Sequence, residues 1–482
     1  MNSPFNETRY RELLEGLEVS EIKFTELESG QRIDAELYKK EFVRSNLQIN
    51  DLSFAPLGGQ VALLRKGIFD ISASKYSDEG IPFVRISNLK DMCIDDSEIV
   101  YIPESEHQKN IITKLNYGDV ILSKTAYPAA SLVTLNECNT SQDTVAIKLK
   151  PHSEIKSYFL VTYLNTKYGL SQMGRWFTGN IQMHLNLEDC KRIKIPVLSK
   201  DLQYYIQLIF EKSLTFKVYS NDTFLSTERL LLQELGLANY QPSTENVKVK
   251  SFKNSFLDSG RLDAEYYQPK FDEIDQAITQ KEYHDRLGNL LSLCKRGKQP
   301  KYTEIGFKVV NSKHVREGEV KLGEDNRTAK AERNSLIIKK GDVLINGTGV
   351  GTIGRSAPYL YEEQALPDNH VTILRTRKLD PVYLSIFLNS IAGQLQVDKY
   401  FKGSSGQIEL YPQDISEFLI WVAPKEIQER IRENVESAHI SRENSKHLLV
   451  IAKRGVELAI EQNEEHAIAW MEAEVNKLGI EL

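Results

Sequence analysis

The sequence predicts a mixed α/β (α+β) protein that is internally duplicated, with two mixed α/β domains and two long helices. Three observations predict this fold class. Similar segments return in the same order with offsets of 223 to 230 residues, short apolar runs lie between Gly, Asn and Pro, and each half ends in a long stretch with helical spacing.

The composition is that of an ordinary globular protein. A length of 482 residues allows about two to four domains. Hydrophobic residues make up 41% and charged residues 27%, which excludes a disordered or fibrous chain. The net charge of −6 argues against a uniformly basic nucleic-acid coat, but it leaves room for a local basic face.

The cysteines lie far apart with no Cys-x-x-Cys pair: Cys93, Cys138, Cys190 and Cys294. This pattern disfavours a disulfide framework and a cysteine zinc site, and it predicts a reducing, cytoplasmic environment. No apolar run approaches the ~18 residues of a membrane span. The first residues also lack the apolar stretch of a signal peptide, so we expect no membrane association.

The duplication is clearest in a charged segment ahead of each domain. Arg32–Phe42 (RIDAELYKKEF) returns as Arg261–Phe271 (RLDAEYYQPKF), each after a Ser-Gly pair. Further along, Tyr117–Thr125 (YGDVILSKT) matches Lys340–Thr348 (KGDVLINGT). Because the order is kept to the end of each half, we interpret the chain as two copies of one unit.

Each half predicts short strands followed by one long helix. Apolar runs such as Val120–Leu122 and Val343–Ile345 indicate strands. Apolar residues in Leu202–Leu235 recur at separations of 3, 4, 7 or 8 and stop at Gly236, a residue type common at helix ends. The stretch Ile427–Trp470 has similar spacing, which favours a two-helix coiled coil. The alternative is that each helix only covers its own domain.

These patterns divide the chain into a leading segment 1–56, a mixed domain 57–199, a central helix 200–240, a second leading segment 241–285, a second mixed domain 286–424 and a C-terminal helix 425–482. The mixed domains carry net charges of +1 and +5, and the stretches 1–56, 200–285 and 425–482 carry −4 each. This distribution is the one expected if the domains meet DNA phosphates and the helices meet protein.

One string looks like a nucleotide-binding motif. Gly349–Gly354 is a literal GxGxxG directly after an apolar run. A dinucleotide site needs this turn to open a helix whose N-terminal amides hold the pyrophosphate. Here Pro358 follows closely, so we predict a glycine-rich β-hairpin. The matching stretch of the first half, Lys124–Pro128, lacks the glycines altogether.

The sequence shows no credible catalytic constellation. It contains no P-loop and no Pro-Pro or Pro-Cys pair, which the catalytic loops of adenine and cytosine methyltransferases would require. The nine histidines include no His-Glu-x-x-His or His-x-His pair, and we interpret His184 and His370 as solvated side chains. We therefore expect a binding protein and not an enzyme, with no catalytic residues, no cofactor of its own and no metal site.

The two halves share an ordered set of short motifs. Each has Gly-Asp and three apolar residues, then an aromatic-x-Gly…Gln…Leu segment, then an x-Pro and a Gln at the start of the helix. In the first half these are Gly118–Leu122, Phe177–Gly179, Gln182, Leu185, Ile195–Pro196 and Gln203. In the second they are Gly341–Ile345, Phe401–Gly403, Gln407, Leu410, Ala423–Pro424 and Gln428. This pattern resembles the specificity (S) subunit of type I restriction-modification systems, or of a closely related methylation-linked phage-defence system.

The resemblance covers nearly the whole chain and implies a function. Two target-recognition domains, 57–199 and 286–424, would be held apart by two antiparallel coiled-coil helices, and each would read half of a split, asymmetric double-stranded DNA target. The chain would be a non-catalytic subunit that directs methyltransferase (modification) subunits, two in number, with or without a restriction subunit. S-adenosylmethionine would bind the partner methyltransferase. The alternative is a non-catalytic scaffold of a phage-defence complex that reads no DNA sequence.

The repeated Arg-x-Asp-Ala-Glu element departs from the usual family pattern. It is either a second contact surface, such as one for the methyltransferase, or a set of local salt-bridge and capping residues. Both readings stay open at this point.

DNA contacts are expected from basic and amide side chains on loops, with arginine suited to guanine and Asn or Gln to adenine. The candidates in the first half are Arg65, Lys66, Arg85, Asn88, Lys124, Thr125, Arg175, Asn180 and Gln182. Those in the second half are Lys295, Arg296, Lys298, Lys301, Asn346, Thr348, Arg355, Lys399, Lys402, Ser404 and Gln407. Matched pairs such as Arg65 with Lys295 and Arg175 with Lys399 are expected to contact phosphates, because two domains with different targets share backbone geometry but not bases.

Overall fold

The structure is a computed structural model that describes residues 5–24, 27, 33–69, 71–90, 92–96, 99–179, 183–245, 247–323, 325–403 and 408–482. The chain forms two compact units. Unit 1 consists of Met1–Phe216 and Glu443–Leu482, and unit 2 consists of Lys217–Arg442. Within the described ranges, no helix combines the length and the apolar character needed to cross a membrane.

The first half of the chain alternates short helices and short strands. Its helices are α1 (Glu7–Leu13), α2 (Lys40–Asn50), α3 (Leu57–Gln60), α4 (Glu104–Lys109), α5 (Ser157–Leu164), α6 (Lys167–Gly174), α7 (Leu187–Arg192) and the long α8 (Lys200–Leu235). Its strands are β1 (Phe54–Pro56), β2 (Val61–Lys66), β3 (Ile81–Val84), β4 (Leu89–Lys90), β5 (Cys93–Ile94), β6 (Val100–Ile102), β7 (Leu115–Asn116), β8 (Val120–Ser123), β9 (Ala130–Leu132), β10 (Glu137–Thr140), β11 (Thr144–Leu149) and β12 (Lys194–Pro196).

The second half also alternates short helices and strands, with twelve strands among its described residues as in the first half. Its helices are α9 (Pro269–Thr279), α10 (Leu287–Leu290), α11 (Pro381–Asn389), α12 (Ile391–Tyr400), α13 (Pro412–Ser416), the long α14 (Lys425–Glu461) and α15 (Glu464–Lys477). Its strands are β13 (His284–Arg286), β14 (Leu291–Arg296), β15 (Tyr302–Thr303), β16 (Phe307–Val310), β17 (Val315–Arg316), β18 (Glu319–Val320), β19 (Thr328–Ala329), β20 (Asp342–Asn346), β21 (Ser356–Pro358), β22 (Ala365–Pro367), β23 (Val371–Thr376) and β24 (Leu419–Trp421).

Corresponding strands pair in the same way in the two halves. The order β2-β11-β8-β9 of unit 1 returns as β14-β23-β20-β21 in unit 2, with antiparallel pairing throughout. The parallel pair β3·β10 returns as β16·β22, and the antiparallel pair β1·β12 returns as β13·β24. The fold is therefore a mixed α/β fold built twice, as the sequence predicts.

Each central sheet is covered by two consecutive helices. In unit 1, α5 contributes Phe159, Leu160 and Tyr163 to the core, each fully buried. In unit 2, α11 contributes Tyr383 and Phe387 in the same way. These runs are apolar on every side because they lie between the sheet and other parts of their unit.

The repeated Gly-Asp motif is a turn that starts the strand β8 or β20. Gly118 has φ +87° and Gly341 has φ +86°, a backbone conformation that glycine adopts without steric cost. The next residue caps the turn in both copies. Asp119 Oδ2 accepts a hydrogen bond from Asn116 N at 2.8 Å, and Asp342 Oδ2 accepts one from Lys339 N at 2.8 Å. The motif thus has a structural role in each unit.

The GxGxxG string forms the predicted hairpin. It connects β20 to β21, which pair antiparallel from Val343↔Pro358 to Ile345↔Ser356. No helix follows the glycines, so their amide groups are not arranged at a helix N-terminus as a dinucleotide site requires.

The long helices bury residues at alternating separations of three and four. In α8 the buried positions include Leu202, Ile206, Ile209 and Ser213. This is the spacing that a coiled-coil seam requires. Within unit 1, Ser199 N contacts Glu464 at 3.1 Å, and Ser213 Oγ contacts Ser445 O at 3.0 Å. Ser199, just before α8, contacts Glu464, whereas Ser213, further along α8, contacts the earlier residue Ser445. The two chain segments of unit 1 therefore run antiparallel.

The long helix of the first half and the C-terminal helical stretch of the second half end differently. α8 stops at Leu235, and Gly236 has φ +81°, as expected for a helix C-terminal glycine. The C-terminal stretch, expected as one helix, is two. Asn463 caps a new helix, α15, because its side chain accepts a hydrogen bond from His466 N at 2.8 Å.

Candidate nucleic-acid interface

Each unit brings three backbone segments together at the end of its central strand. We call the set of Lys124–Ala126, Thr178 and His184 loop cluster 1, and the set of Gly347–Gly349, Lys402 and Glu409 loop cluster 2. Each cluster consists of the turn after β8 or β20 and both arms of a short hairpin.

Loop cluster 1 is closed by main-chain hydrogen bonds. Thr178 N donates to His184 O at 2.9 Å, and His184 N donates to Thr178 O at 2.8 Å. The hairpin is fixed to the strand end because Leu185 N donates to Lys124 O at 2.8 Å. His184 therefore bridges Thr125 on one side and Thr178 on the other.

Loop cluster 2 repeats this pattern. Lys402 and Glu409 exchange two main-chain hydrogen bonds of 2.8 Å, and Leu410 N donates to Gly347 O at 2.9 Å. Glu409 bridges Thr348 and Lys402. His184 and Glu409 thus occupy the same backbone position in the two units while carrying different side chains.

Both clusters contain the same unusual backbone conformations. Gly349 has φ +97°, and at the matching place in unit 1 a non-glycine residue, Ala126, has φ +64°. Gly179 and Gly403, which begin the hairpin loops, have φ +128° and +105°. Left-handed conformations of non-glycine residues are uncommon and cluster at functional sites. Loop cluster 1 keeps the turn even though its sequence lacks the glycines of loop cluster 2.

Loop cluster 2 encloses a cavity of about 520 Å³. Polar and apolar groups both line it, and Thr348 Oγ1 lies 2.7 Å from His370 Nδ1. The lining residues are Thr348, Gly349, His370, Lys402, Gly403, Ile408, Glu409 and Tyr411. A cavity of this volume is large enough for the edge of a nucleobase.

Arg296 connects two segments next to each other in loop cluster 2 through side-chain hydrogen bonds. Its Nη2 donates to Leu410 O at 2.7 Å and to Gly347 O at 3.1 Å. Its Nη1 lies 3.7 Å from Glu409 Oε2, and its guanidinium lies 5.2 Å from the ring centroid of Tyr411. With a side chain 18% exposed, Arg296 is an organising residue of the cluster.

The residue of unit 1 that matches Arg296 is arranged differently. Lys66 Nζ lies 4.4 Å from the ring centroid of Phe69, whose own exposure is 71%. An exposed aromatic ring beside a cation offers a face for stacking as well as a positive charge. The two clusters therefore share a basic residue at this position but not its contacts.

The carboxylate of loop cluster 2 is held by its neighbours. A hydrogen bond to Glu409 raises the pKa of Tyr411, because loss of the Tyr411 proton would leave two negative groups together. Glu409 remains 40% exposed. Lys402 is exposed, and its Nζ pairs with Asp414 Oδ1 at 2.9 Å.

Several of the expected DNA-contacting residues lie at the surface. Arg65, Lys295, Lys298, Lys301 and Lys402 are exposed. Half-buried candidates are Lys66, Arg85, Lys124, Thr125, Arg296, Thr348 and Arg355. Four further candidates, Asn180, Gln182, Ser404 and Gln407, lie outside the described residues.

Two of the expected base readers are buried and hold loops in place. Asn88 Oδ1 accepts from Arg85 N at 2.9 Å, and its Nδ2 donates to Asp95 O at 2.9 Å. Asn346, fully buried, donates to Ser312 O at 3.0 Å. These side chains cannot meet DNA without opening the domain, so they organise the surface instead of reading it.

The matched basic pair Arg175 and Lys399 is also buried, with exposures of 4% and 9%. Lys399 Nζ pairs with Asp275 Oδ2 at 2.6 Å, and the guanidinium of Arg175 lies 5.3 Å from the ring centroid of Trp176. A matched position therefore reflects a shared structural contact in this case, and the geometry does not favour the expected phosphate contacts.

The second copy of the charged repeat packs onto the same part of unit 2. Arg261 pairs with Asp263, and its guanidinium lies 4.5 Å from the ring centroid of Tyr266. That ring contacts Tyr400 edge-on at 5.7 Å. In the first copy, Asp34 accepts a hydrogen bond from Leu37 N, while Arg32 lies outside the described residues. Among the described residues, the first copy thus has a local cap and the second copy a local ion pair.

His184, His370, Glu409 and Tyr411 are the cluster residues that sequence reasoning missed. His184 and His370, expected as solvated side chains, are half-buried. His184 belongs to loop cluster 1, and His370 lines the cavity beside loop cluster 2. The signal for His184 and Glu409 was present in the alignment of the halves, because each directly precedes the matched residues Leu185 and Leu410.

Comparisons with known proteins give the following. No family model matches the chain, and no curated protein matches it. Solved structures do. The S subunit of a type I restriction-modification system from M. genitalium is 12% identical, with a TM-score of 0.35 and coverage of 90% of this chain and 98% of that one.

Two further solved structures are similar along most of the chain. The HsdS subunit from Thermoanaerobacter tengcongensis is 13% identical, with a TM-score of 0.26 and coverage of 88% of this chain and 96% of that one. A structure concerned with complex assembly and conformational transition of a type I restriction-modification system is 14% identical, with a TM-score of 0.28 and coverage of 88% and 97%. The system named in these descriptions is the one whose S subunit the sequence resembles.

Proposed function

We propose that this chain is a DNA-binding specificity subunit. Unit 1 and unit 2 each read one part of a two-part, asymmetric duplex target, and the chain directs partner methyltransferase subunits to that target. The observation that carries the proposal is the pair of loop clusters. They have the same main-chain hydrogen bonds and different side chains at the bridging position, His184 in one and Glu409 in the other.

Matched backbones with different side chains suit this task. Phosphates have the same geometry in every duplex, so a common framework positions two readers on DNA in the same way. Bases differ, so the side chains that meet them differ when two readers have different targets. A scaffold role gives no reason for two loops to keep the same main-chain hydrogen bonds while their bridging positions carry side chains of different chemistry.

The distribution of charge supports contact with DNA. The mixed domains carry net charges of +1 and +5, although the whole chain carries −6. In unit 2 the exposed Lys295, Lys298 and Lys301 follow one another at the end of β14, beside Arg296 of loop cluster 2. Exposed lysines grouped in this way supply the sequence-independent part of DNA affinity, because they neutralise phosphates.

The partners follow from the proposal. Two methyltransferase subunits fit a chain made of two copies of one unit, because each copy offers an equivalent surface. A restriction subunit is a further component that the same assembly accommodates. The chain itself contributes recognition, and the methyl donor S-adenosylmethionine belongs to the methyltransferase.

The test is to express the chain with the methyltransferase encoded beside it in a host without DNA methylation, and to map modified bases by long-read sequencing. We expect a split, asymmetric motif that disappears when this chain is omitted. If the methyltransferase is active and its motif is unchanged without the chain, the proposal fails and a scaffold role replaces it.

A further inference from the structure

The bridging position of the two loop clusters carries residues of different chemistry. His184 and Glu409 have the same main-chain partners, so a side chain at this position leaves the backbone at the same place in each unit. Glu409 is the unexpected member, because it places a carboxylate among the basic side chains Arg296 and Lys402.

A carboxylate on a DNA-facing surface is not a phosphate contact. Like charges repel, and acidic side chains lower the affinity of a surface for the DNA backbone. In the major groove, the hydrogen-bond donors that DNA offers to a carboxylate are the exocyclic amino groups of cytosine and adenine. An acidic residue at the centre of a reading loop therefore points to a base edge.

The structure fixes Glu409 in position while leaving part of it accessible. Arg296 Nη1 lies 3.7 Å from the carboxylate. Arg296 is itself held by the carbonyls of Gly347 and Leu410, and its guanidinium packs 5.2 Å from the ring centroid of Tyr411. An ionised carboxylate has about four lone-pair sites on two oxygens, so these contacts leave acceptor capacity. The group is 40% exposed and lines the 520 Å³ cavity.

We propose that Glu409 accepts a hydrogen bond from the N4 amino group of a cytosine in the part of the target read by unit 2, and that His184 reads a different base at the matching place in unit 1. This inference rests on the proposed function and names the base and the residues. Adenine fits Glu409 less well, because its N7 acceptor lies beside the N6 amino group and faces the second carboxylate oxygen. Arg296 and Tyr411 are positioning residues for this contact.

The experiment compares methylation motifs of the complex containing wild-type chain, E409Q and the control E362Q. Glu362 is exposed and pairs with Lys340, which precedes β20 at the end of that strand remote from loop cluster 2. We expect E409Q to reduce the preference for cytosine at one base pair of one half of the motif by about tenfold or more, in favour of adenine, whose N6 and N7 suit a glutamine. The other half and the E362Q motif should stay as in the wild type.

The outcomes separate the two proposals. A wild-type complex without a motif that depends on the chain overturns the proposed function together with this inference. A clear wild-type motif that E409Q leaves unchanged overturns this inference alone. If E409Q abolishes methylation, Tyr411→Leu, which removes the ring that packs on Arg296 and so loosens the carboxylate without removing it, must relax the same single base pair, and its failure to do so overturns the inference. H184A must change only the other half of the motif, and a change in the unit 2 half contradicts the assignment.

Discussion

Arg375 and Asp342 form a two-pronged ion pair in the centre of unit 2, with Nε to Oδ1 at 2.6 Å and Nη2 to Oδ2 at 2.8 Å. Asp342 is 1% exposed, and it belongs to the repeated Gly-Asp turn. The hydrogen bond that Arg375 donates to Asp342 raises the pKa of Arg375, so the pair stays charged. In the corresponding pair of unit 1, Lys148 Nζ lies 3.5 Å from Asp119 Oδ2, and the Asp119 side chain is 19% exposed.

The first prediction concerns this pair. Asp342→Asn should lower the free energy of unfolding by about 1.5–3 kcal/mol, because it removes the charged partner of Arg375 at a buried position, while the Arg375 side chain is 35% exposed and keeps part of its hydration. Asp119→Asn is the matched control and should cost about 1 kcal/mol, since its ion pair is solvated. Urea unfolding of the two full-length variants measures both. Equal losses would show that the turn cap matters and the ion pair does not.

The second prediction concerns the glutamine at the start of each long helix. Gln203 Nε2 donates to Glu154 O at 3.0 Å and Leu198 O at 2.9 Å, and its Oε1 accepts from Lys156 N at 2.9 Å. Gln428 makes comparable bonds in unit 2, donating to Ala423 O at 2.7 Å and accepting from Asp380 N at 2.8 Å.

Replacing either of these two glutamines by alanine should cost about 2–4 kcal/mol, because buried main-chain groups lose their partners. Gln207→Ala, one turn further along α8, should stay within about 0.5 kcal/mol, since its side chain contacts only Glu211. Thermal unfolding of the three variants distinguishes these cases. A small effect at both positions would mean that water replaces the side chain.

The third prediction concerns pH. Burial lowers the pKa of His314, although Asp325 raises it and Lys313 and Arg316 lower it further. Its Nδ1 accepts hydrogen bonds from Asn311 N at 3.2 Å and Asn326 Nδ2 at 3.2 Å, so the structure requires a neutral ring. The unfolded chain binds the proton more readily, and stability is therefore lost as the pH falls below about 6.5.

His314→Asn should remove that loss. At the matching place in unit 1, Asn88 accepts the same kind of hydrogen bond from Arg85 N, so asparagine fits the turn. We expect the free energy of unfolding of the variant to change less between about pH 7 and pH 5 than that of the wild type. His284→Asn, at an exposed position, serves as the control. An identical pH dependence of the His314→Asn variant and the wild type would show that the ring binds its proton equally well in the folded and the unfolded chain.

The fourth prediction concerns the exposed lysines after β14. Replacing Lys298 and Lys301 by alanine should weaken binding to all duplexes alike and reduce the slope of log affinity against log salt by up to about 0.9 for each phosphate that is no longer neutralised. Lys340→Ala removes a charge at the other end of unit 2's central strand and should leave the slope unchanged. Salt-titrated binding of the complex to duplex DNA measures this. A slope that survives the double substitution would place the phosphate contacts elsewhere.

The architecture could be predicted because duplication is a property of order along the chain. The repeated Gly-Asp turn, the hairpin after Val343–Ile345 and the end of the first long helix at Gly236 all depend on local residues, and the structure has them where the sequence predicts them. The break before α15 also had a local signal, an asparagine followed by two glutamates, but the regular spacing of apolar residues hid it.

The site was harder to predict because burial depends on distant partners. Arg175 and Lys399 match across the halves and carry charge, which suggested phosphate contacts. Lys399 is buried because Asp275, 124 residues earlier, pairs with it. The importance of Glu409 was hidden for the opposite reason. A position at which the two copies differ gives no signal when their sequences are compared. Only the backbone shows that Glu409 occupies the same place as His184.

The main-chain hydrogen bonds of the two loop clusters do not involve the side chain at position 184 or 409. A substitution there by any residue other than proline therefore keeps these bonds, while it alters what the loop presents and, at position 409, removes the carboxylate partner of Arg296. Under the proposed function, single substitutions at these two positions are expected to change the base preference of one half of the target and to leave the other half undisturbed.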